Sequence, residues 1–392
     1  MATRLEMVTA AVPDTQREGP GKLLVGNAQD RSDQSARDTE DGTEDDTADG
    51  ATGGGPPGPV GRRAMNQLRL DPLTGRWVVV SVDRSERPAA FAFLPRAASV
   101  QADTSRPCPF CPGNEESTPP ALETYGSSGS WMVRVVPNLY PAFEGDHPFV
   151  VENRGPVFTQ ATAGGIHEVL VLSPDHDNGW EGISEEQAVL VMAAIRDRIE
   201  EHSSVPGLRY SQAIVNAGRE AGASIEHPHG QLLGMSFVPR ELAEEQAGFA
   251  RFAGRCLLCT TVDAEEDAGH RVVYANDRVL VVCPFWSGTP YEMLVIPRNH
   301  GPHLHRATPV DLAAVGRSIR TVLGSLRERL GDVAYNVVFH SAPYRAPEPY
   351  HWHAHVWPKL TTTAGFEAGT GVLINIVAPE QATEELRVAV PA

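Results

Sequence analysis

Short apolar runs along the chain predict strands, and a longer apolar stripe predicts a helix. Residues 169–172 read Val-Leu-Val-Leu and stop at a Ser-Pro turn, while residues 210–215 and 334–339 are rich in the β-branched and aromatic side chains that strands favour. A capping box at residues 184–187, Ser-Glu-Glu-Gln, opens a stripe of near-helical spacing. The stripe consists of Val189, Met192, Ala193, Ile195, Arg196 and Ile199. The pattern predicts an α+β fold with mostly antiparallel sheet and few helices.

Two stretches of the chain match each other at a constant offset of 124 residues. The segment EVLVLSPDH ends at His176, and the segment EMLVIPRNH ends at His300. In each copy, 51 residues separate that histidine from the start of a histidine-rich motif, at His227 and at His351. A Cys-x-x-Cys pair precedes each copy, and Thr308 stands where the offset places a second helix cap. The match predicts a duplicated domain with a histidine-rich strand in each half.

Each histidine-rich motif has a period of two, which in an extended strand puts its side chains on one face. In the first copy this face carries His227, His229 and Gln231. In the second copy it carries His351, His353 and His355. A neutral imidazole is a good nucleophile towards phosphorus and can leave again, which splits one transfer into two steps. We therefore predict that His229 is a covalent catalyst, with Gln231 donating to a phosphoryl oxygen. A lone histidine in the core would be the alternative, and the duplicated frame disfavours it.

The two Cys-x-x-Cys pairs supply thiolates for metal binding. Zinc takes four ligands in a tetrahedron, so each pair needs two more, and the repeat offers two histidines symmetrically. The predicted sets are Cys108, Cys111, His176 and His227 for a first zinc, and Cys256, Cys259, His300 and His351 for a second. A redox pair is the alternative, but Pro109, the Pro-Gly that follows the first pair and the duplication oppose it.

The first 64 residues differ in composition from the rest of the 392-residue chain. Between residues 27 and 55, acids outnumber bases nine to two and apolar residues are scarce. Such a segment cannot bury enough apolar surface to offset its ordering entropy, so we expect residues 1–64 to be a disordered acidic tail. An upstream start chosen in place of Met65 would also account for it. The remaining residues suit two half-domains, 65–238 and 239–392.

Charge and composition exclude several classes of protein. A formal net charge of −17 argues against a duplex nucleic-acid binder, which needs a basic face. The sequence contains no apolar stretch of membrane-spanning length and no signal-peptide pattern at its start. Four of the five cysteines lie in Cys-x-x-Cys pairs, which fits metal ligands in a reducing compartment, and Cys283 fits a buried apolar position. We expect a cytoplasmic protein that does not bind nucleic acid or membranes.

Several motifs together resemble the galactose-1-phosphate uridylyltransferase family of the histidine-triad superfamily. They are HPHGQ at 227–231, the first CPFC, DPLTGRW at 71–77, RSERP at 84–88, PN at 137–138 and GFE at 365–367. The resemblance runs from about residue 66 to 387 and implies duplicated histidine-triad-like half-domains. It also implies a ping-pong reaction in which uridylyl passes from UDP-glucose to a histidine and then to galactose 1-phosphate. The products would be UDP-galactose and glucose 1-phosphate.

The resemblance implies roles for individual residues by matching motif. It makes His229 the nucleophile and His227 a ligand of the first zinc. The C-terminal half would then be structural and would contribute to the dimer. The implied substrate-binding residues are Arg84, Arg87, Asn138, Asn216, Gly222, Ser224, Gln231, Phe366 and Glu367. The arginines and Gln231 would face phosphates, whereas Phe366 and Glu367 would reach the sugar in the neighbouring subunit's site. The family therefore implies a homodimer with shared active sites.

Members of the family differ at the second metal site. Some use a glutamate and three histidines in place of the cysteine set. The matching residues here are Glu245, His340, His353 and His355. Because thiolates bind zinc more strongly than a carboxylate does, we favour the cysteine set for the second metal.

Glu226, directly before HPHGQ, departs from the small or neutral residue of many relatives. Relatives with variant triads use adenylyl sugars, or phosphate as the acceptor, so a nucleotide-sugar phosphorylase or adenylyltransferase is the alternative enzyme. A catalytically silent, zinc-stabilised binding module is the alternative from another class. The acidic charge and the intact HPHGQ motif count against that module.

Overall fold

The computed structural model describes residues 66–81, 107–127, 130–346 and 349–388, which belong to one compact unit, Gly61–Ala392. The predicted acidic tail and the predicted phosphate contacts Arg84 and Arg87 lie outside the described residues. The described residues form fifteen β-strands and six α-helices. None of these helices is both long and apolar enough to cross a membrane.

Seven strands precede the first helix, and the other helices lie singly or in pairs between the later strands and at the end of the described chain. The strands are β1 (Gln67–Leu70), β2 (Trp77–Val80), β3 (Glu123–Ser127), β4 (Ser130–Pro137), β5 (Val151–Asn153), β6 (Thr159–Ala161), β7 (Gly165–Val171), β8 (Tyr210–Ala217), β9 (His229–Met235), β10 (Val272–Ala275), β11 (Val279–Val282), β12 (Met293–Pro297), β13 (Tyr335–His340), β14 (His353–Pro358) and β15 (Leu373–Asn375). The helices are α1 (Glu185–Ser204), α2 (Arg240–Arg251), α3 (Leu257–Ala268), α4 (Pro309–Leu330), α5 (Gly365–Thr370) and α6 (Pro379–Leu386).

Ten strands form one sheet, in the order β10-β11-β12-β14-β13-β8-β9-β7-β4-β3, and every neighbouring pair is antiparallel. The order is symmetric about the central pair of β13 and β8. Each half of the chain thus contributes five strands, and the halves meet edge to edge. The predicted α+β fold of duplicated, mostly antiparallel half-domains is confirmed.

The two faces of the sheet are covered differently. Helices α1 and α4 pack on one face and enclose the main apolar core. On the other face, α2 and α3 cover the second half with Leu242, Phe249 and Leu258. The same face of the first half carries a small cluster around Phe110 and Val169, and the larger cluster beneath α2 and α3 reaches it at Tyr210 and Met235. This less covered face is the one on which His229 lies.

The helix caps follow the repeat, but Gln187 does not act as the capping box predicts. Ser184 Oγ accepts a hydrogen bond from the Gln187 backbone N–H at 3.1 Å, and Thr308 Oγ1 accepts from Asp311 N–H at 3.2 Å. The Gln187 side chain, however, donates to the carbonyls of Met132 and Leu172 at 3.0 and 2.8 Å. It ties α1 to the sheet instead of returning to the cap.

The predicted apolar stripe of α1 is only partly correct. Met192, Ile195 and Ile199 are buried as expected, but Arg196 is only half-buried. The helix buries Arg198 in its place, because both oxygens of the buried Glu168 carboxylate accept from its guanidinium, at 2.9 and 2.5 Å. A buried charge is tolerated when its partner satisfies it.

The constant offset of 124 residues fails in strand β12. The offset matches Val169 to Met293 and Gln231 to His355. In the first half Val169 pairs with Gln231, but in the second half His355 pairs with Leu294 instead of Met293. Side chains alternate between faces, so the slip of one residue reverses which side each one takes. Glu168 therefore lies on the helix face, while its sequence match Glu292 lies on the histidine face beside Trp357.

The contact between α1 and α4 depends on a glycine. A Cβ atom at Gly316 would lie 2.6 Å from the Ala188 carbonyl oxygen, whereas a Cβ at Gly324 in the same helix would meet nothing within 4 Å. We expect Gly316→Ala to lower the free energy of unfolding by about 1 to 3 kcal/mol through overpacking. Gly324→Ala, the matched control, should raise it by up to about 1 kcal/mol through helix propensity. Urea unfolding measures both, and equal effects would contradict the proposed helix contact.

Candidate active site and metal clusters

The first set of predicted ligands converges at one point. Potential ligand atoms of Cys108, Cys111, His176 and His227 lie within 4.8 Å of one another. His227 Nε2 lies 2.7 Å from the Ser173 carbonyl oxygen, so this nitrogen carries the proton and donates. The lone pair is then on Nδ1, which lies 3.6 Å from Cys111 Sγ, and His176 Nδ1 lies 3.3 Å from the same sulfur. The donor set and the fixed tautomer fit a tetrahedral metal ion.

The second cysteine set repeats this geometry. Cys256, Cys259, His300 and His351 bring their potential ligand atoms within 4.8 Å. His351 Nε2 donates to the Pro297 carbonyl at 2.8 Å, which leaves Nδ1 at 3.5 Å from Cys259 Sγ. The ring centroids of the histidine pair are 5.1 Å apart at 86°, against 5.2 Å and 85° in the first set. Ser173 and Pro297 are 124 residues apart, so the repeat regains its offset here.

One thiol in each cysteine pair has a raised pKa, unlike a redox thiol. Burial and the neighbouring Cys108 raise the pKa of Cys111 to about 11. Burial and Cys256 raise the pKa of Cys259 to about 11 in the same way. Reactive thiols need a lowered pKa, whereas a bound metal cation would stabilise the thiolates that these pairs otherwise disfavour.

The glutamate–histidine set also converges, at a separate place. Potential ligand atoms of Glu245, His340, His353 and His355 lie within 4.8 Å, and all four residues are buried. His353 Nδ1 donates to the His351 carbonyl at 2.8 Å, and Tyr350 Oη donates to Glu245 at 2.6 Å. Among the described residues, the buried nitrogens His353 Nε2 and His355 Nε2 have no hydrogen-bond partner.

Buried polar atoms without a partner are costly, so these nitrogens fit a metal ligand role. Burial lowers the pKa of His353 to about 3, which keeps its imidazole neutral. Burial opposes ionisation of Glu245, but the charge and hydrogen bond of His340 outweigh it and hold the pKa of Glu245 below its ordinary value. The glutamate–histidine set shares no residue with the second cysteine set, so the two do not compete for ligands.

His229 lies directly beside the first cluster, at the start of β9. Its Nδ1 donates to the His227 carbonyl oxygen at 2.8 Å, so the lone pair is on Nε2. Burial lowers the pKa of His229, which favours the neutral imidazole. The centroid of the Phe110 ring lies 5.4 Å from the centroid of the His229 ring and 6.0 Å from that of the His227 ring. A neutral imidazole in this arrangement can act as a nucleophile.

Gln231 follows on the same face of β9 and contacts His167, a residue outside the repeated motifs. His167 Nε2 lies 2.9 Å from Gln231 Oε1 and 3.1 Å from Asn138 Nδ2. The Tyr140 N–H donates to Asn138 Oδ1 at 2.9 Å and fixes that side chain. The structure thus brings the predicted residues Asn138 and Gln231 together around His167.

The loop between β8 and β9 is held by the second half of the chain. Asn336 Nδ2 donates to Asn216 Oδ1 and to the Ala221 carbonyl, both at 2.8 Å. Gly222 has φ +91°, and a Cβ atom there would lie 3.8 Å from Asn216 Nδ2. The structure therefore brings Asn216 and Gly222 together, and Ser224 is exposed further along the loop.

The predicted residues Phe366 and Glu367 lie on α5. Phe366 is exposed, and Glu367 accepts a hydrogen bond at 3.1 Å from the N–H of Ala364, the residue directly before the helix. Glu226 and His229 line a cavity of about 290 Å³. The contribution of Phe366 and Glu367 to a neighbouring subunit's site stays a prediction.

Two residues at the site carried weak sequence signals. His167 lies one position before the matched block EVLVL, so the repeat did not mark it. Asn336 lies 120 residues after Asn216 and not 124, because the two asparagines face each other across the junction between the halves. Only the pairing of β8 with β13 brings Asn336 to the site.

The chain is similar to known proteins over most of its length. The family models of galactose-1-phosphate uridyl transferase match residues 56–239 with the N-terminal domain and residues 241–389 with the C-terminal domain. An ADP-glucose phosphorylase of Arabidopsis thaliana is 31% identical over 339 residues, which cover 82% of this chain and 92% of that protein. A galactose-1-phosphate uridylyltransferase of Thermotoga maritima is 28% identical over 338 residues, covering 82% and 98%.

A solved structure of an ADP-glucose phosphorylase from Arabidopsis thaliana with bound ADP-glucose superimposes with a TM-score of 0.71 at 27% identity. The match covers 84% of this chain and 100% of that one. Family models thus account for both halves of the chain, and a relative above 30% identity spans most of its length. The chain belongs to the galactose-1-phosphate uridylyltransferase family and is a nucleotidyltransferase enzyme.

Proposed function

We propose that the enzyme transfers a uridylyl group from UDP-glucose to galactose 1-phosphate through a covalent intermediate on His229. The observation that carries the proposal is the tautomer of this imidazole, which leaves Nε2 unprotonated. Its Nδ1–H is held by the His227 carbonyl at 2.8 Å, which leaves the Nε2 lone pair available. The family membership and the uridylyltransferase relatives support the choice of substrates.

In the first step, His229 Nε2 attacks the α-phosphorus of UDP-glucose. The new N–P bond forms as the bond from that phosphorus to the bridging oxygen breaks, and glucose 1-phosphate leaves with the electron pair. The imidazole becomes a uridylyl-imidazolium, and its positive charge is stabilised because Nδ1–H donates to the His227 carbonyl. In the second step, a phosphate oxygen of galactose 1-phosphate attacks the same phosphorus, and His229 leaves as a neutral imidazole.

The donors around His229 suit the negative charge of the phosphoryl group. Gln231 lies two residues away on the same strand face, and Asn216 Oδ1 is occupied by Asn336, so the Asn216 amide nitrogen is left for substrate. Donors that are already oriented need no reorganisation when charge develops, which is where a polar site contributes most to the rate.

We propose that the two cysteine sets hold zinc and that the glutamate–histidine set holds a third divalent metal ion. When bound, the first zinc would supply rigidity, because it would fix the ring of His227, whose own carbonyl aligns His229. The third set, with one carboxylate and three imidazoles, suits zinc or iron. The catalytic steps above pass through the side chains of the chain alone.

ADP-glucose phosphorolysis is the second candidate function. The 31% identity to the Arabidopsis ADP-glucose phosphorylase favours it. The first step would be the same with adenylyl in place of uridylyl, and inorganic phosphate would attack the adenylyl-histidine to give ADP. The two candidates therefore differ in the base and in the second nucleophile.

A matrix of two donors and two acceptors distinguishes the candidates. Purified enzyme is incubated with UDP-glucose or ADP-glucose, together with galactose 1-phosphate or phosphate, and the nucleotide products are separated by chromatography. We expect UDP-galactose from UDP-glucose and galactose 1-phosphate as the fastest reaction. ADP as the dominant product, formed from ADP-glucose and phosphate, would replace the first candidate with the second.

We also propose that the enzyme is a homodimer with shared sites, in which Phe366 and Glu367 reach the sugar bound in the partner. The exposure of Phe366 in the single chain supports this arrangement, because a large apolar side chain on the surface gains from burial at an interface.

A further inference from the structure

We propose that His167 is a positioning residue that fixes which end of the Gln231 carboxamide faces the reacting phosphoryl group. The inference rests on the proposed function, in which Gln231 serves that group. His167 lies on β7 next to β9, with Nε2 at 2.9 Å from Gln231 Oε1. It is half-buried and does not itself need to touch substrate.

The backbone determines the tautomer of His167. The Ala142 N–H, which can only donate, lies 3.0 Å from His167 Nδ1. Nδ1 must therefore accept, and the proton of the neutral imidazole is on Nε2. The doubly protonated imidazole would place two donors against each other at Nδ1.

This tautomer in turn orients Gln231. Since Nε2–H donates, the group facing it must be the carboxamide oxygen of Gln231, and the NH₂ group is turned away from His167. Asn138 Nδ2 lies 3.1 Å from the same nitrogen, and because both are donors this contact is not a hydrogen bond. In the opposite orientation, Gln231 would present an oxygen to a phosphoryl oxygen, which would be repulsive.

The second half of the chain has the same relation at the equivalent sheet position. Gln231 pairs with Val169, and His167 is two residues before it; His355 pairs with Leu294, and Glu292 is two residues before it. Glu292 Oε1 lies 3.7 Å from His355 Nδ1. In each half, then, the residue at this position lies beside the polar side chain on the histidine strand, but only the pair of His167 and Gln231 is within hydrogen-bond distance.

A double-mutant cycle tests whether His167 acts through Gln231. Asparagine can still accept from the Ala142 N–H but cannot reach Gln231, so His167→Asn removes the orienting contact and keeps the loop contact. We expect it to lower kcat/KM about tenfold in the parent enzyme, the size of one lost hydrogen bond. In the Gln231→Ala background the same change should cost less than about twofold. Equal losses in both backgrounds would overturn the proposal.

His167→Gln is the conservative variant, because its amide nitrogen can replace Nε2 as the donor to Gln231. It should recover most of the kcat/KM that His167→Asn loses, and recovery by asparagine instead would point to a structural role. The thermal midpoint of both variants is measured alongside and should be similar.

A measurement without turnover separates this proposal from the proposed function. In full-length enzyme labelled with ¹⁵N-histidine, the His167 signals are identified by their absence in His167→Asn. Nitrogen chemical shifts should show the proton on Nε2, and a proton on Nδ1 would refute the orientation. If no nucleotide sugar were turned over, the proposed function would fail while this result would still decide the orientation of Gln231.

Discussion

Replacing His229 with alanine is expected to lower nucleotidyl exchange by roughly 10⁴-fold or more, the scale seen when a catalytic nucleophile is removed. The reason is the geometry at the start of β9. The Nε2 lone pair of His229 is the only group to which we assign bond formation with phosphorus, and its Nδ1–H is committed to the His227 carbonyl. The measurement is the rate of label exchange between UDP-glucose and glucose 1-phosphate.

His229→Gly is the informative companion, because the space it leaves could admit free imidazole. Added imidazole, or a preformed uridylyl-imidazolide, should then restore part of the second transfer step. His270→Ala, at an exposed histidine, is the matched control and should exchange at the parent rate. Parent-level exchange by His229→Ala would eliminate covalent catalysis at this position.

Loss of a metal ligand should have the largest effect on stability. Three separate clusters converge in the structure, so elemental analysis of the purified enzyme should approach three metal equivalents per chain. Cys108→Ser should lose one equivalent and much of the folded state, because zinc bound to such small sites contributes on the order of 10 kcal/mol to folding. Cys256→Ser, its counterpart in the repeat, should lose a different equivalent.

Two further variants make the metal assignment specific. Glu245→Gln should remove the third equivalent without affecting zinc at the cysteine pairs. Cys283→Ser changes a buried cysteine outside all three sets and should leave the metal content unchanged. A Cys108→Ser enzyme with its full metal content, or a Cys283→Ser enzyme that lost metal, would contradict the ligand assignment.

The sequence predicted those features that repeat. An offset of 124 residues, visible without any structure, grouped His176 with His227 and His300 with His351, and the structure places each pair beside its cysteines. The alternation in HPHGQ likewise placed His229 and Gln231 on one strand face. Such patterns are readable because a metal site constrains residue type and spacing together.

Features that depend on register or on pairing between the halves could not be read in this way. The slip of one residue in β12 keeps Glu168 and Glu292 matched in sequence but places their side chains on opposite faces of the sheet. Nothing in the amino-acid sequence indicates this slip. Arg198 is buried because Glu168 meets it across α1 and the sheet, a contact invisible to helical periodicity. His167 and Asn336 lie at the site only because β7 pairs with β9 and β13 pairs with β8.

The central pairing of β8 with β13 also determines what each half could do alone. An isolated first half would expose β8 as an edge strand, with a row of unpaired backbone groups that invites association with other chains. It would also lose Asn336, which holds Asn216 and the Ala221 carbonyl of the loop. The second half thus acts as a built-in partner for the first, and we expect that separating the two halves would disturb the loop beside His229.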